Sequence, residues 1–589
     1  MREKEWRIYA KKADFDGLSK KLGVSPYTVR ILRNRGLTTE EEMRDYLYGD
    51  LGSLHSPFLM KDVKKACEII SGKIREHKRL MIVGDYDIDG VCSIAILMKG
   101  LTRLGADVLW RVPHRVKDGY GINDSIVTEA KEAGADTIIT CDNGISAHSA
   151  VSYAKQLGMC VIVTDHHSIS PDGLPEADAV INPHRADDDY PWPGICGAVV
   201  AWKLIQALFK GAGYDDEAYL DYLEYAAMAT VGDVMELKGE NRHIVKNGLY
   251  KLHMTQIPGI RALCDACEIE AKDISGYHLG FVLGPSLNAG GRLETANLSA
   301  QLLLTEDAAE AKKLAEHLRQ LNDDRKAMTT TAIEAAILQI ETTPIINDRV
   351  LVVYLEECHE SIAGIVAGRV RERYYRPAIV LTPAEGGGAK GSGRSIDGYD
   401  MIGEITAAGR FLSKFGGHPM AAGLSLPTEN IDAFRKALND NCRLTKEQLV
   451  EKYWIDLPMP VQSVSMDWLE EMTLLEPFGN GNEKPVLACR DLTLQSMKKI
   501  GKAGQYLKLT FFDRKDMTRF EAMLFADCEG FLMEMMRKYG TAVVNGLLTA
   551  GADSKSPVDM SIVYEPGINI FRDVKSIQII VRDYHFHVK

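Results

Sequence analysis

Between residues 80 and 182 the sequence alternates short apolar runs with longer stretches of helical composition. The apolar runs occupy residues 80–83, 108–112, 137–141 and 161–163, and the first helical stretches are residues 92–104 and 125–132. Regular alternation of this kind predicts a parallel, doubly wound sheet with helices packed on it. Gly105, Gly134 and Gly158 follow the helical stretches, at the position where a left-handed residue commonly ends a helix.

Acidic and imidazole side chains follow three of these apolar runs. Asp85, Asp87 and Asp89 come after the first run, Asp142 after the third, and His166 and His167, preceded by Asp165, after the fourth. In an open α/β sheet, ligands bind in the crevice outside the carboxyl ends of the strands, so these side chains should meet at one edge. Mixed oxygen and nitrogen donors suit a pair of divalent cations, which is the usual device for attacking a phosphate ester. The sequence therefore predicts a metal-dependent phosphoesterase.

Each cluster also has a plainer interpretation. An Asp-Gly pair such as Asp89-Gly90 is more often turn chemistry than catalysis, and adjacent histidines often lie on a surface. Three carboxylates at alternate positions are harder to explain in this way, because crowding like charges costs free energy unless a cation neutralises them. The third cluster, arising from another strand of the same sheet, favours the metal site.

The chain has 589 residues, which is too long for one core and predicts a multidomain α/β protein. We divide it into a helical extension at 1–60, a first α/β domain at 61–305, a connecting helix at 306–345, a second, smaller α/β domain at 346–450 and a C-terminal domain at 451–589. Five short alternating β runs in the last part predict a small barrel of the OB type. They occupy residues 492–494, 506–512, 520–525, 542–548 and 561–564.

Composition restricts the cell compartment and the kind of partner. The charged N-terminus, and the lack of an apolar stretch near the roughly 18 residues that a membrane span needs, predict a cytoplasmic protein with no membrane contact. Eleven cysteines, an odd number, fit reduced thiols better than a disulfide framework. A net charge of −12 implies that any nucleic acid is bound in a local basic groove.

Two further motifs are weak. The stretch 386–391 matches GxGxxG, yet it does not open a helix after a first strand as a dinucleotide fingerprint must. A backbone nest for a phosphate and a plain hairpin loop are nearly equal alternatives. Cys264 and Cys267 have the spacing of half a zinc site, but no second pair completes it, so we interpret them as structural.

Taken together, the motifs resemble those of the DHH phosphoesterase superfamily, and the resemblance extends over nearly the whole chain. Asp85 to Gly90, Asp142-Asn143-Gly144, Asp165-His166-His167 and Gly232-Asp233 are similar to its ordered motifs. Gly416-Gly417-His418 with Ala421-Ala422-Gly423 resembles the signature of its associated DHHA1 domain. Within the superfamily, the nearest resemblance is to bacterial exonucleases specific for single-stranded DNA.

The resemblance implies a DHH catalytic domain, a DHHA1-type substrate-binding domain and an OB-like nucleic-acid-binding domain. It also implies two divalent metal ions, with Asp142 as the bridging ligand. The metal-binding positions are Asp87, Asp89, Asp142, His166 and Asp233. Asp85 and His167 match catalytic positions beside them, where either could relay a proton. Imidazole ligation favours Mn²⁺ over Mg²⁺, since magnesium prefers oxygen ligands.

The resemblance further implies a set of nucleic-acid-binding residues. The set is Arg115, Asn288, Arg292, Ser392, Arg394 and His418. Arg115, Ser392 and Arg394 would form a pocket for a 5′-terminal phosphate, because a guanidinium can bind two phosphate oxygens at once. In the barrel, Tyr506, Phe511 and Phe512 near Lys508 and Arg514 suit stacking on single-stranded bases, although in an alternating strand at least one aromatic should be core.

Three functions follow as hypotheses. The leading one is an exonuclease that degrades single-stranded DNA from the 5′ end to mononucleotides in repair and recombination. It would work as a monomer, with a single-strand-binding protein and a helicase as candidate partners. The second is a phosphoesterase of the same superfamily that acts on short oligonucleotides, cyclic dinucleotides or pyrophosphate. The third is a noncatalytic nucleic-acid-binding replication scaffold that keeps the fold.

Overall fold

The computed structural model describes residues 4–115, 117–384, 386–551, 556–572 and 574–587. It divides into two compact units. One contains Met1–Gly49, Val450–Glu476 and Glu483–Lys589, and the other contains Asp50–Leu449 and Pro477–Asn482. None of the helices in the described part combines the length and apolar character that a membrane crossing requires.

The N-terminal segment is mainly helical, as its sequence indicated, with one short strand that was not predicted. Its elements are β1 (Glu5–Ile8), α1 (Phe15–Leu22), α2 (Pro26–Asn34) and α3 (Glu40–Tyr48). Side-chain caps start the helices: the Ser25 hydroxyl accepts from the Thr28 N–H, and Thr39 and Glu42 form a reciprocal capping box. These caps satisfy backbone N–H groups that a helix leaves unpaired.

The predicted parallel sheet is confirmed. Its elements are α4 (Val63–Arg75), β2 (Arg79–Val83), α5 (Ile88–Arg103), β3 (Asp107–Arg111), α6 (Asp124–Glu132), β4 (Thr137–Cys141), α7 (His148–Gln156), β5 (Cys160–Thr164) and β6 (Ala179–Ile181). The strand order is β3-β2-β4-β5-β6, and each neighbouring pair is parallel. After β2 the chain adds β3 on one side and then β4 on the other, so the direction in which strands are added reverses between β2 and β4. Ligands bind at such a reversal, so the crevice is expected beyond Val83 and Cys141.

Both faces of this sheet are buried. Ile82 and Ile139 pack with α5 on one face, whereas Val83 and Ile138 pack with α6 and α7 on the other. Burial on both faces explains why the strands read as continuous apolar runs rather than as alternating ones. Gly105, Gly134 and Gly158 take the left-handed conformation predicted for them.

A helical layer completes the first α/β region. It comprises α8 (Gly197–Gly211), α9 (Leu223–Gly232), α10 (Gly239–Leu252), α11 (Pro258–Ala266), α12 (Gly276–His278), a π-helical turn at Leu279–Leu283, α13 (Gly284–Leu293) and α14 (Asn297–Leu304). Cys264 and Cys267 lie buried here as free thiols, in keeping with a structural role. The predicted long helix follows as α15 (Ala308–Thr342), whose 35 residues span about 52 Å.

The second α/β region is built on a mixed sheet. Its elements are β7 (Leu351–Tyr354), α16 (Ala363–Tyr374), β8 (Ala378–Pro383), β9 (Ala389–Arg394), α17 (Met401–Ala407), β10 (Lys414–His418), β11 (Ala421–Leu426) and α18 (Ile431–Asn441). The strand order is β10-β11-β9-β8-β7. Because β8 and β9 are antiparallel, the GxGxxG stretch forms a hairpin connection and then a strand, and it opens no helix.

The C-terminal region contains the predicted barrel. Its elements are β12 (Lys452–Ile455), β13 (Leu457–Pro458), α19 (Met466–Glu471), β14 (Leu487–Ile500), β15 (Tyr506–Asp513), β16 (Thr518–Leu524), α20 (Cys528–Tyr539), α21 (Thr541–Thr549), β17 (Asp559–Phe571) and β18 (Val574–His587). Strands β14, β15, β16, β18 and β17 pair in that order, and β17 pairs back with β14 to close a five-stranded barrel.

One barrel strand was assigned wrongly. Residues 542–548 form helix α21, in which Val544 and Leu547 are buried at a helical spacing. A short apolar run does not distinguish a helix from a strand by periodicity alone. The fifth strand of the barrel is β18 instead.

Short 3₁₀ helices connect these elements. They are Leu51–Ser53, Pro57–Leu59, Ala218–Tyr222, Ala271–Asp273, Pro344–Asn347, Glu360–Ile362, Gly409–Phe411, Thr428–Asn430, Glu447–Leu449, Val461–Ser463 and Met472–Leu475.

Candidate metal centre and phosphate-binding residues

Five carboxylates and an imidazole converge near the carboxyl ends of β2, β4 and β5. The Nε2 atom of His166 lies 3.2 Å from Asp142 Oδ1, 3.4 Å from Asp89 Oδ2 and 3.7 Å from Asp233 Oδ2. Donor atoms of Asp85, Asp87 and Asp142 form a second group, all within 4.8 Å of one another. Asp142 belongs to both neighbourhoods. The structure thus brings together all five residues predicted as metal ligands.

Backbone groups hold two of these carboxylates in place. Asp89 accepts hydrogen bonds of 2.7 Å from the N–H groups of Gly197 and Ala198, at the start of α8. Asp87 caps α5 by accepting from the N–H groups of Asp89 and Gly90. Helix N-termini carry a partial positive charge, so these contacts stabilise the two anions and fix their directions.

Asp142 has an unusual backbone conformation and a crowded position. Its φ is +60°, a left-handed value that non-glycine residues adopt mostly where the surroundings impose it. A Cβ atom on Gly197 would lie 2.7 Å from Asp142 Cβ, so only glycine allows α8 to begin this close. The side chain of Asn143 anchors the turn by donating to the carbonyls of Val83 and Cys141.

The donor set fits a divalent cation. Within the described residues, Asp85 Oδ1, Asp142 Oδ1 and His166 Nε2 are buried and make no hydrogen bond. Burial, followed by the charges of Asp89 and Asp87, raises the pKa of Asp142 well above its ordinary value, and burial raises the pKa of Asp85 and Asp233 as well. Burial lowers the pKa of His166, which favours the neutral imidazole that ligates a metal. Buried acids with unsatisfied oxygens need a cation to ionise together.

His167 lies beside this cluster and is oriented by Asp165. Its Nδ1 is 2.7 Å from Asp165 Oδ1 and 3.9 Å from Asp142 Oδ1. Burial opposes protonation, but the hydrogen bond and charge of Asp165 prevail and raise the pKa of His167 to about 9. Because Asp165 occupies Nδ1, Nε2 is the nitrogen left to exchange a proton with a substrate.

A cluster of guanidinium groups lies near the metal residues. Arg115 donates to the Gly291 carbonyl and stacks 3.8 Å over the ring of Tyr86. Arg292 donates to the Ser361 carbonyl, and burial, followed by the charges of Arg115 and Arg325, lowers the pKa of Arg292 to about 10. Within the described residues, Arg115, Arg292 and Arg325 form no ion pair, and they donate to the Gly291 carbonyl, the Ser361 carbonyl and the Asn322 side chain. Uncompensated guanidinium groups favour a phosphate ligand.

The remaining predicted nucleic-acid residues are distributed unevenly. Arg394 Nη1 donates to Ser392 Oγ over 2.7 Å, and a Cβ atom on Gly364 would lie 2.7 Å from Arg394 Nη2. Asn288 is used structurally, because its Oδ1 accepts from the Ile88 N–H at the start of α5. His418 lies exposed on the edge strand β10, and its side chain makes no hydrogen bond to the other five within the described residues.

Comparison with known proteins identifies the family of this chain. Three family models match: the DHH family N-terminal domain at residues 79–231, the DHHA1 domain at 347–444 and the RecJ OB domain at 455–583. The single-stranded-DNA-specific exonuclease RecJ of Bacillus subtilis (strain 168) is 34% identical over 582 residues, covering 98% of this chain and 70% of the relative. The chain belongs to the RecJ family.

Two further matches extend the likeness. RecJ of Escherichia coli (strain K12) is 36% identical over 433 residues, covering 70% of this chain and 74% of its own length. The crystal structure of RecJ from Thermus thermophilus in complex with Mn²⁺ superimposes with a TM-score of 0.81 at 26% identity, covering 99% of this chain and 79% of that one. The multidomain fold predicted from the sequence is therefore that of RecJ.

The five-part division of the chain stays a prediction. The three matched ranges fall within residues 61–305, 346–450 and 451–589. The N-terminal Met1–Gly49 forms a compact unit with C-terminal segments, which a division read along the sequence alone does not anticipate.

Three site residues were missing from the predicted set. Asp165 accepts from the backbone N–H groups of Ile145, His166 and His167. Tyr120 donates to the Asp142 carbonyl over 2.8 Å and lies 3.1 Å from His167 Nδ1, and Tyr86 supports Arg115. The signal was present for two of them, because Asp165 begins the Asp-His-His motif and Tyr86 lies within the motif Asp85 to Gly90.

Proposed function

We propose that this chain is a metal-dependent exonuclease that hydrolyses single-stranded DNA from the 5′ end to mononucleotides. The observation that carries the proposal is the convergence of two donor groups on Asp142, with buried oxygen and nitrogen atoms that make no hydrogen bond. Its membership of the RecJ family, whose curated relatives bear the name single-stranded-DNA-specific exonuclease, supports the substrate.

Asp87, Asp89, Asp142, His166 and Asp233 would hold two divalent ions. Asp142 would contribute to holding both, because it belongs to both donor groups. Mn²⁺ is favoured because the set includes an imidazole, with Mg²⁺ as the alternative. When bound, such ions acidify a water molecule and offset the charge that develops on the phosphate. Asp85 and His167 would then hold or move a proton beside the reacting phosphate.

The guanidinium groups would position the strand. Arg115, Ser392 and Arg394 would bind a 5′-terminal phosphate, and Gly364 leaves the space that the Arg394 guanidinium occupies. Asn288, Arg292 and His418 would line the path of the strand. End recognition would then follow from two donors on a planar guanidinium meeting two phosphate oxygens.

Roles in DNA repair and recombination, a cytoplasmic location, a monomeric state, and cooperation with a single-strand-binding protein and a helicase belong to the same proposal. The printed name of the curated relatives, single-stranded-DNA-specific exonuclease, supports the part of this proposal that concerns DNA.

The test presents 5′-labelled and 3′-labelled single strands and duplexes to the protein with Mn²⁺, Mg²⁺ or a chelator. We expect early release of labelled mononucleotide only from 5′-labelled single strands, and no release with the chelator. The Asp142→Ala variant should lose hydrolysis by at least about a thousandfold and still bind a single strand. Unchanged turnover in that variant, or activity confined to dinucleotides, would contradict the proposal.

A further inference from the structure

The turn that follows Asp233 contains a residue in an unfavourable conformation. Helix α9 ends at Gly232, and Val234 has a φ of +58°. The Met235 N–H donates to the Thr230 carbonyl and the Val234 N–H to the Val231 carbonyl, which is the pattern of a Schellman motif. Its left-handed position normally holds glycine, and a β-branched residue there is an outlier that its surroundings must impose.

A segment distant in the sequence holds the turn at Val234 in place. Asn480 Nδ2 donates to the Val234 carbonyl over 2.7 Å, and the Asn480 carbonyl accepts from the Leu237 N–H over 2.8 Å. One residue therefore holds both ends of the segment 234–237. Side chain and backbone act together, so the segment is fixed in position and in direction.

Asn480 is itself held in a tight hairpin, residues 477–482. Gly479 and Asn482 exchange two backbone hydrogen bonds of 3.0 Å, and the buried Asn482 side chain donates to the Pro477 carbonyl. A Cβ atom on Gly479 would lie 2.7 Å from Leu237 Cδ1. The hairpin therefore packs directly against the segment that follows Asp233.

The hairpin also has a distinctive place in the chain. Of the sequence after Leu449, Pro477–Asn482 alone is grouped with the compact unit that contains Asp233. The segments before and after it, Val450–Glu476 and Glu483–Lys589, belong to the other unit. The hairpin is thus covalently joined to the barrel region at both ends, and it contacts the segment that follows Asp233.

We propose that Asn480 is a positioning residue for Asp233. It keeps Val234 in the left-handed conformation, and that conformation fixes where the Asp233 carboxylate leaves α9. This inference rests on the proposed role of Asp233 as a metal ligand. Partners that orient metal ligands typically change metal affinity about 10- to 100-fold when removed, so the effect should appear in metal binding before it appears in catalysis at saturating metal.

The test measures Mn²⁺ binding to the chelator-stripped full-length protein by calorimetry, together with the Mn²⁺ dependence of hydrolysis. We expect Asn480→Ala to weaken binding of at least one Mn²⁺ about tenfold, with turnover largely restored at saturating Mn²⁺. The matched control is Asn430→Ala, which removes a similar amide-to-carbonyl hydrogen bond, to Phe411, elsewhere in the same unit. The control should bind Mn²⁺ as the wild type does.

A second variant tests the reason for the effect. Glycine adopts the left-handed conformation without help, so Val234→Gly should remove the need for Asn480. We expect the double variant Val234→Gly/Asn480→Ala to bind Mn²⁺ nearly as well as Val234→Gly alone. An equal loss in both backgrounds would overturn the proposed reason, and wild-type Mn²⁺ binding by Asn480→Ala would overturn the positioning role.

Asp233→Ala separates this inference from the proposed function. If that variant binds Mn²⁺ as the wild type does, Asp233 is no ligand and both statements fail. If Asp233→Ala loses an ion while a folded Asn480→Ala does not, only the inference about Asn480 fails. Circular dichroism of each variant shows that the fold is intact.

Discussion

At the scale of single residues, the metal centre contains features that metal binding would require and that destabilise the folded chain when no metal is bound. Asp142 combines a left-handed backbone with a buried carboxylate facing Asp85, Asp87 and Asp89. Each feature is unfavourable in the metal-free chain. Strain and like charge of this kind gather where a ligand compensates for them.

We predict that Asp142→Asn makes the metal-free protein more stable and the enzyme inactive. With a chelator present, the amide removes a buried acid from a crowd of like charges, so we expect a higher melting temperature, by roughly 1 °C for each kcal/mol gained in a unit of this size. Hydrolysis should be lost in the same variant. The control Asp172→Asn, at an exposed position, should change neither. Scanning calorimetry and a nuclease assay check both effects, and a lower melting temperature in chelator would contradict the account.

Arg394→Ala tests recognition of the 5′ end. The guanidinium is oriented by Ser392 and has room provided by Gly364, so its loss should remove a charge-assisted contact, worth about 1.5–3 kcal/mol. We expect the preference for 5′-phosphorylated over 5′-hydroxyl strands to fall about tenfold or more, as measured by competition. Arg261→Ala, on the exposed face of α11, should keep the preference. Equal losses on both kinds of end would assign Arg394 a general role instead.

At the scale of elements, the barrel strand β15 separates stacking candidates from core. Phe511 is fully buried, whereas Tyr506, Lys508 and Phe512 lie on the partly exposed face. The expectation that one aromatic would be core is thus met by Phe511. Lys508 pairs with Glu521 and Arg514 with Asp559, so the basic character of this face is partly neutralised. Stacking is therefore the contribution to expect from it.

Tyr506→Ala should weaken binding to a long single strand and spare short substrates. Stacking on an aromatic ring contributes about 1–3 kcal/mol per base, which corresponds to an affinity loss of roughly 5- to 150-fold. Titration of a labelled 30-mer and hydrolysis of a dinucleotide measure the two effects. Met517→Ala, an exposed position between β15 and β16, is the control. A loss of equal size on the dinucleotide would place Tyr506 in the catalytic site rather than in a strand-binding module.

Some of the elements and site residues could be predicted from the sequence, and others could not. The parallel sheet, the long helix α15 and the acids at the strand ends were predicted, because period and position are local signals. Helix α21 was not, since the short segment 542–548, with apolar residues on both sides of Asn545-Gly546, fits a helix and a strand alike. Asp233 entered through family resemblance alone. The contact of Asn480 with Val234 joins residues 246 positions apart, and no local pattern reports it.

At the scale of the whole molecule, a net charge of −12 coexists with arginines, among them Arg115 and Arg292, for which the described part of the chain provides no ion-pair partner. Because the chain as a whole is acidic, only this local group of arginines is available to contact the phosphates of a single strand, so the number of such contacts should be small. With about four guanidinium groups engaged, the slope of log affinity against log salt should be near −3, at about −0.7 for each phosphate. Arg394→Ala should reduce it by about 0.7. Fluorescence titrations with the inactive Asp142→Ala protein measure the slope, and a value near zero would contradict a basic groove.

The account depends most directly on metal binding at Asp142. The decisive measurement is a Mn²⁺ titration of chelator-stripped wild-type and Asp142→Ala protein, followed by calorimetry or by the paramagnetic resonance of free Mn²⁺. We predict two bound ions per wild-type chain, loss of at least one in the variant, and recovery of exonuclease activity that tracks occupancy in the wild type. Wild-type protein that binds no Mn²⁺, or a variant that binds both ions unchanged, would contradict the central claim.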